Sequence, residues 1–340
     1  MKAVVIHAQD DLRVEDVPAP ELRPDKVIVD IHYAGICGSD LAYWRHGATG
    51  TAILREPMIL GHEISGVVSA VGDDVSGVVP GEPVTIHPAT YAPGGHLDPR
   101  LHGRLNLYVP IRYFGSAAFL PHEQGGLCEQ RLVDPSQLRR VPDTVSLRDA
   151  AVAEPFGVAL HAVKRSGGVD GLKVLVNGAG PVGLLVASAA RAHGAARIWV
   201  SDINPLALRH AQAMGADVVV DLSSGDSLPE DVDVAFEVSG VPATLHGVFG
   251  SVRRGGTVVQ VGNVPARPVE SDLGNVVTKE IEYRGTYRFI DEIQEALELM
   301  ASGVDVSPIV THEFPIDDAV KAFETAGDRS TGSSKVLITF

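Results

Sequence analysis

The stretch that most narrows the possible folds is residues 173–195, "KVLVNGAGPVGLLVASAARAHGA". A continuous apolar run ends in Gly178, Gly180 and Gly183 at G-x-G-x-x-G spacing, and an Ala- and Leu-rich helical pattern follows at once. The spacing alone is a weak signal in a chain with 36 glycines, where a plain strand-to-helix turn is the simpler reading. Its position between a strand and a helix strengthens it. Gly178 then permits a tight turn, Gly180 lets the backbone approach a pyrophosphate, and Gly183 allows close helix-on-strand packing. The N–H groups opening the helix, with its dipole, would hold the anion. Asp202 ends the next strand, about 20 residues on, where an acid binds a ribose diol and repels a 2′-phosphate. It also suits the start of the following helix. NAD(H) is therefore favoured over NADP(H), moderated by Arg209 on that helix.

From about residue 150 onward the pattern alternates strand and helix, as a parallel sheet covered on both faces requires. "LRDAAVAEPFGVALHAVKRSG" reads as helix, and "RIWVSD", "DVVVD", "VDVAFEVSG" and "GTVVQVG" read as strands. "NPLALRHAQAMGA" has Asn204 as N-cap, Pro205 at the first helical position and Gly215 past the end. In the tail, Ile293, Ala296, Leu297 and Met300 form an amphipathic stripe, "IDDAVKAFETA" is a second helix, and "KVLITF" a closing strand. The first 150 residues differ. They are rich in Gly and Pro, with short period-2 runs such as "KAVVIHA" and "KVIVDIHYAGIC", which predict a sandwich or partly open barrel. Ala89 to Phe119 shows no clear periodicity and reads as a long excursion.

A length of 340 residues accommodates two cores. The net charge of −15 argues against nucleic-acid binding, which needs a basic surface. No apolar run approaches the ~20 residues that span a bilayer, and no signal peptide is visible, so a cytoplasmic protein without membrane association is expected. Two cysteines far apart give no disulfide framework.

One of them, Cys37, lies in "AGICGSD" between glycines, and the thiol is open to three readings: apolar filler, nucleophile or metal ligand. "LGHEISG" places His62 beside Glu63, and Glu154 sits inside an apolar helical pattern, where its charge is costly unless paired or bound to a cation. Cys, His and carboxylate are ligand types of catalytic zinc. From spacing alone these residues, spread over more than a hundred positions, only hint at a site.

With these motifs together, the chain resembles the zinc-dependent medium-chain dehydrogenases. "AGICGSDLAYWRHG", "EPMILGHEISGVVSAVG", "AEPFGVALHAV" and "VLVNGAGPVGLL" carry the likeness in order over essentially the whole chain. Its polyol branch, the sorbitol and L-idonate dehydrogenases, is the nearest match. "IRYFGSAAFLPHEQGG" and "GTYRFIDEIQEAL" look most like L-idonate 5-dehydrogenase. The resemblance implies an α/β architecture. A GroES-like β-barrel catalytic domain would span residues 1–150, completed by 286–340. A doubly wound Rossmann domain binding NAD would span 151–285, and the active site would lie in the cleft.

The resemblance further implies that Cys37 and His62 ligate zinc. Glu63 and Glu154 match the two nearby carboxylates, of which one coordinates and the other acts through water or by exchange; their ranking stays open. Ser39 matches the hydroxyl that passes the alcohol proton outward. Tyr43 and Arg288 match positions lining a polyol pocket, against plain readings as a barrel packing residue and a surface cation. Arg45 and Arg112 are further candidates near a carboxylate-bearing substrate. Cofactor contacts fall on Gly178, Gly180, Pro181, Val182 and Gly183, then on Asp202, Val261 and Gly262.

Two departures stand out. The four cysteines of the family's second zinc correspond to Gly94, Leu97, Arg100 and Tyr108, so one catalytic zinc per chain is expected and the structural one is not. Ala42 replaces a histidine found after "CGSD" in many relatives. The implied activity is NAD-linked oxidation of a polyol or sugar acid, L-idonate to 5-ketogluconate foremost, by a homodimer or homotetramer. The alternatives are a sorbitol- or xylitol-type dehydrogenase, a zinc-free reductase on the same fold, and a non-catalytic nucleotide-binding sensor.

Overall fold

The period-2 runs of the N-terminal half are strands in the computed structural model, which describes residues 1–265 and 267–340. The strand Val27–Gly35 buries Val27, Val29 and Ile31 at the middle of a seven-stranded sheet. On one side it pairs antiparallel with Glu63–Val71, beyond which lie Pro83–Ile86 and Leu138–Arg140. Its other edge is shared by Gln130–Val133 and the closing strand Lys335–Thr339, which runs parallel to Val310–Pro315. A three-stranded sheet of Asp11–Asp16, Lys2–Ala8 and Met58–Ile59 packs into the same core, with Ile6, Val29, Ile64, Phe323 and Ile338 fully or nearly fully buried. Residues 1–154, 293–301 and 310–340 form this first unit.

The excursion at Ala89–Phe119 has more order than its sequence pattern predicts. Ala89–His96 and Val109–Tyr113 pair as antiparallel strands. Tyr108, at one of the four family cysteine positions, meets Tyr91 edge-on at 5.2 Å between ring centroids. Its hydroxyl donates to the Ala92 carbonyl at 3.2 Å. A side chain at Gly95 would meet the Tyr108 ring at 2.5 Å, so this glycine is what admits the ring. Aromatic packing and this hydrogen bond thus hold Tyr108 against the strand Ala89–His96.

The second unit, residues 155–292 and 302–309, is a six-stranded parallel sheet. Its order is Val218–Asp221, Arg197–Asp202, Lys173–Asn177, Val232–Glu237, Val252–Gln260 and Glu282–Gly285. The chain winds outward from Lys173–Asn177 in one direction, then restarts beside it at Val232–Glu237. That reversal is the topological switch point, where open α/β sheets bind ligands outside the carboxyl ends of their strands. The GroES-like barrel joined to a Rossmann-type parallel sheet is the α/β fold that the sequence implied.

Two local details differ from the sequence pattern. The helix read across 147–167 is two helices, Leu147–Ala150 and Ala153–Ser166. Asn204 does cap Leu206 and Pro205 does open the helix, but the α-helix ends at Leu208. The chain continues in turns to Gly215, at φ +103°, while burying Ala211 and Met214. Burial at 208, 211 and 214 keeps a helix-like spacing without an unbroken helix. Among the described residues no helix is long and apolar enough to cross a membrane.

Candidate metal centre and dinucleotide loop

Cys37 is held by its own neighbourhood. It precedes the helix Gly38–His46, and the Asp40 carboxylate accepts from the Cys37 N–H at 2.9 Å. The same fully buried carboxylate accepts from the Gly61 N–H at 3.1 Å, one residue before His62. Asp40 therefore fastens the thiol-bearing turn to the segment that carries His62 into the strand Glu63–Val71. Across the sheet, Gly35 pairs with Glu63. A Cβ at Gly35 would meet Glu63 Oε2 at 2.1 Å, so only glycine leaves room for this carboxylate.

The result is a cluster in which one ligand atom each from Cys37, His62 and Glu63 lies within 4.8 Å of the others. Two ligands on one tetrahedral zinc are roughly 3.3–3.8 Å apart, so small side-chain adjustments bring this set onto an ion. His62 and Glu63 are buried, and His62 Nδ1 has no partner among the described residues. A thiol, an imidazole and a carboxylate match the donor chemistry of a catalytic zinc.

The electrostatics also favour a cation. Burial alone would depress the His62 imidazolium, yet the Cys37 sulfur, Asp40 and Glu154 around it raise its pKa to about 10. Glu154 opens the helix Ala153–Ser166 and is pushed up from the usual carboxylate range by burial, against the pull of His62 and a 2.5 Å hydrogen bond donated by the Tyr113 hydroxyl. The Tyr113 ring also stands edge-on to His62 at 5.6 Å.

Lys335 completes the picture. It is 2 % exposed, and its ammonium donates to both Glu63 oxygens, at 2.7 and 2.6 Å, and to the Ile36 carbonyl at 3.1 Å. Burial disfavours its charge, but Glu63 and then Cys37 outweigh that and raise its pKa. The two acids thus have different surroundings. Glu63 stands with Cys37 and His62 and is gripped by Lys335, whereas Glu154 is bound by Tyr113 and falls outside the three-residue cluster.

Of the other anticipated residues, Ser39 is half-buried in the first turn of the same helix as Tyr43. Tyr43 is 1 % exposed in the core, its hydroxyl accepting from the Ala117 N–H at 2.9 Å. Arg45 stacks on Trp44 and lies 3.7 Å from Asp10, and Arg112 pairs with Glu123. Arg288 belongs to the other unit, half-buried at φ +51° with its guanidinium over the Tyr287 ring. Sequence reasoning passed over Asp40, Tyr113 and Lys335. Asp40 had a usable signal, an acid three residues after the helix-capping position; the other two had none.

In the second unit the three glycines have separable reasons. Gly178 has φ +112°, and a side chain there would meet the Ser239 N–H at 2.8 Å. A Cβ at Gly183 would sit 1.8 Å from the Gly178 carbonyl, so helix and strand pack at backbone contact. A Cβ at Gly180 would point into open space, which leaves the loop accessible to a phosphate. Pro181, Val182 and Gly183 begin the helix Pro181–Ala192. Asp202 accepts from the Ala179 N–H at 2.7 Å and the Asn204 N–H at 2.9 Å, linking the glycine loop to the end of the next strand. Val261 and Gly262 follow the strand Val252–Gln260, both donating to the Glu237 carbonyl. Gly178 and Ala179 are buried, and Gly180 is the exposed point of the loop.

A barrel unit bearing a Cys–His–Glu cluster and a parallel-sheet unit bearing a phosphate loop define a metal-dependent oxidoreductase. Comparison with known proteins makes this specific. Residues 23–143 match the alcohol dehydrogenase GroES-like domain, and residues 181–302 match the zinc-binding dehydrogenase domain. Sorbitol dehydrogenase of Gallus gallus is 35% identical over 336 residues, covering 95% of this chain and 92% of the relative. The structure of L-idonate 5-dehydrogenase from Escherichia coli superposes with a TM-score of 0.93 at 33% identity, covering 100% of this chain and 98% of that one. That of 2R,3R-butanediol dehydrogenase from Bacillus subtilis gives 0.89 at 31% identity, covering 100% and 99%. The chain belongs to the zinc-dependent medium-chain dehydrogenases, in their polyol branch.

Proposed function

We propose that this protein oxidises a secondary alcohol of a sugar acid with NAD, taking L-idonate to 5-ketogluconate. The observation that carries the chemistry is the convergence of Cys37, His62 and Glu63 on one buried point, with Glu154 beside it. The full-length likeness to L-idonate 5-dehydrogenase supports the substrate. The comparable identity to sorbitol dehydrogenase favours a second reading, a polyol substrate without the carboxylate.

Cys37, His62 and Glu63 would hold a zinc ion, which would supply Lewis acidity toward a substrate hydroxyl, and NAD would supply the hydride acceptor. The chain's own residues do the rest. Lys335 donates to both Glu63 oxygens, so an incoming cation competes with its ammonium for that carboxylate. Tyr113 holds the Glu154 carboxylate, which would be placed to ligate the metal or to bond a neighbouring substrate hydroxyl. Ser39, half-buried and two residues from Cys37, takes the alcohol proton toward solvent. The Gly178–Gly183 loop binds the pyrophosphate, and Asp202 selects NAD over NADP through the ribose. Tyr43 and Arg288 are proposed to shape polyol recognition, Tyr43 through the packing around Ala117.

One zinc per chain is proposed, because among the described residues Cys37, His62 and Glu63 form the one such cluster. The proposed assembly is a homodimer or homotetramer, testable by light scattering. A panel of L-idonate, sorbitol, xylitol and 2,3-butanediol, followed by NADH absorbance with zinc-loaded protein, tests the substrate. The highest kcat/KM is expected for L-idonate. Preference for sorbitol or xylitol would move the assignment to the second reading, and silence on all four with NAD still bound would favour a sensor.

A further inference from the structure

The carboxylate of Glu237 occupies the switch point of the parallel sheet and has no part in the chemistry above. It ends the strand Val232–Glu237 and is 1 % exposed. Its oxygens accept from the Ser239 N–H at 3.0 Å, the Gly240 N–H at 3.2 Å and the Asn177 amide at 3.4 Å. The Gln260 amide and the Ser239 hydroxyl donate as well. Asn177 and Gln260 end the two flanking strands, so one carboxylate ties three strand ends together. Every one of these partners is a neutral donor, which suits an ionised, acceptor-only carboxylate. Among the described residues no Lys, Arg or His pairs with it.

A buried anion without a counter-ion is costly unless something recovers the cost. The charge has a natural counterpart in the ligand. With Asp202 on the far side of the central strand Lys173–Asn177 addressing one ribose, the second mononucleotide half falls on the Val232–Glu237 and Val252–Gln260 side of the switch point. That half carries the nicotinamide, which is cationic when oxidised and neutral when reduced.

Building on the dinucleotide reading, we propose that Glu237 is a positioning residue whose fixed negative charge favours the oxidised over the reduced nicotinamide nucleotide. Taking a separation of roughly 10 Å and an effective dielectric of about 20, with salt screening, the preference is worth roughly three- to tenfold in relative affinity.

The test is Glu237→Gln in the full-length zinc-loaded protein, with Kd for NAD, NADH and ADP-ribose measured by calorimetry. The ratio Kd(NADH)/Kd(NAD) is expected to fall roughly three- to tenfold, chiefly through weaker NAD binding, with ADP-ribose affinity kept. Equal weakening of NAD and NADH, or an unchanged ratio, overturns the proposal in favour of plain strand cross-linking. If Glu237→Gln does not fold, Thr244→Lys sets an ammonium beside the intact carboxylate and is expected to lower the same ratio; an unchanged ratio there overturns it too. Failure of the wild-type protein to bind any of the three nucleotides would instead sink the dinucleotide reading itself.

Discussion

Replacing Lys335 by Met tests how the metal centre is balanced. The substitution keeps most of the volume and removes one charge. In the metal-free chain it strands Glu63, which is 1 % exposed and loses hydrogen bonds of 2.7 and 2.6 Å. Removing one partner of a buried pair typically costs about 3–5 kcal/mol, because the other charge stays buried. Glu154 and Cys37 lie close by and add to the repulsion. With zinc present the cation compensates Glu63, and the expected cost falls to about 1–2 kcal/mol. Closing the thermodynamic cycle, zinc binds Lys335→Met more tightly than wild type by about 2–3 kcal/mol, or roughly 30- to 150-fold. Denaturant unfolding with and without chelator measures the two stabilities, and zinc titration against a competing chelator measures the affinity independently. Equal destabilisation in both states, or weaker zinc binding in the variant, would refute the reasoning. Lys335 would then be preparing Glu63 for the metal rather than competing for it.

Cys37→Ala should lose zinc at least ~100-fold more readily and lose turnover with it; elemental analysis should give about one zinc per wild-type chain and near none in the variant. Asp202→Ala should lower the NAD/NADP ratio of kcat/KM roughly tenfold, since the ribose acceptor and the Ala179 anchor go together; an unchanged ratio removes the assigned role. Glu292 gives a pH signature. Burial would raise its carboxyl, but the His161 ring at 3.0 Å, the Ile290 N–H and Lys164 carry it down to about 2, from an ordinary 4.5. A depressed carboxyl stabilises the fold above pH 4.5 and loses that contribution as pH falls toward 2. Wild type should therefore exceed Glu292→Gln by about 2 kcal/mol near neutrality, allowing for solvent screening, with the gap closing in acid; a pH-independent gap would refute the assignment.

What could be read in the sequence was what is local. The strand–glycine loop–helix at 173–195 announces itself because Gly178 and Gly183 each answer a contact within the turn or the adjoining strand end, as the Gly183–Gly178 approach shows. Asn204 and Pro205 marked a helix start correctly because capping is a short-range hydrogen bond. The helix end was misread because buried Leu208, Ala211 and Met214 keep the apolar spacing after the α-helical hydrogen bonds stop. The strands at Ala89–His96 and Val109–Tyr113 were hidden because their stability rests on Tyr108 against Gly95, a pairing with no periodic trace. Lys335 was invisible for a similar reason. A lysine opening a strand reads as exposed, and its partner Glu63 is 272 residues away in the chain.

The two buried carboxylates that most deserve comparison are Glu63 and Glu237, because their environments imply opposite solutions to the same physical problem. Glu63 is compensated by a formal charge, Lys335, so a metal must compete with an ammonium for it. Glu237 is compensated only by neutral donors, so its field is left available to whatever lies at the switch point. A pair of full charges confines its field to a short range, while dipoles around a single charge leave a net −1 that acts over several ångströms. The first arrangement suits a ligand position where the carboxylate must be held without attracting every passing cation. The second suits a binding crevice that has to distinguish two forms of one molecule differing by a single charge. Lys335→Met and Glu237→Gln probe these separately, one through zinc affinity and the other through a nucleotide ratio, and neither readout depends on the identity of the alcohol.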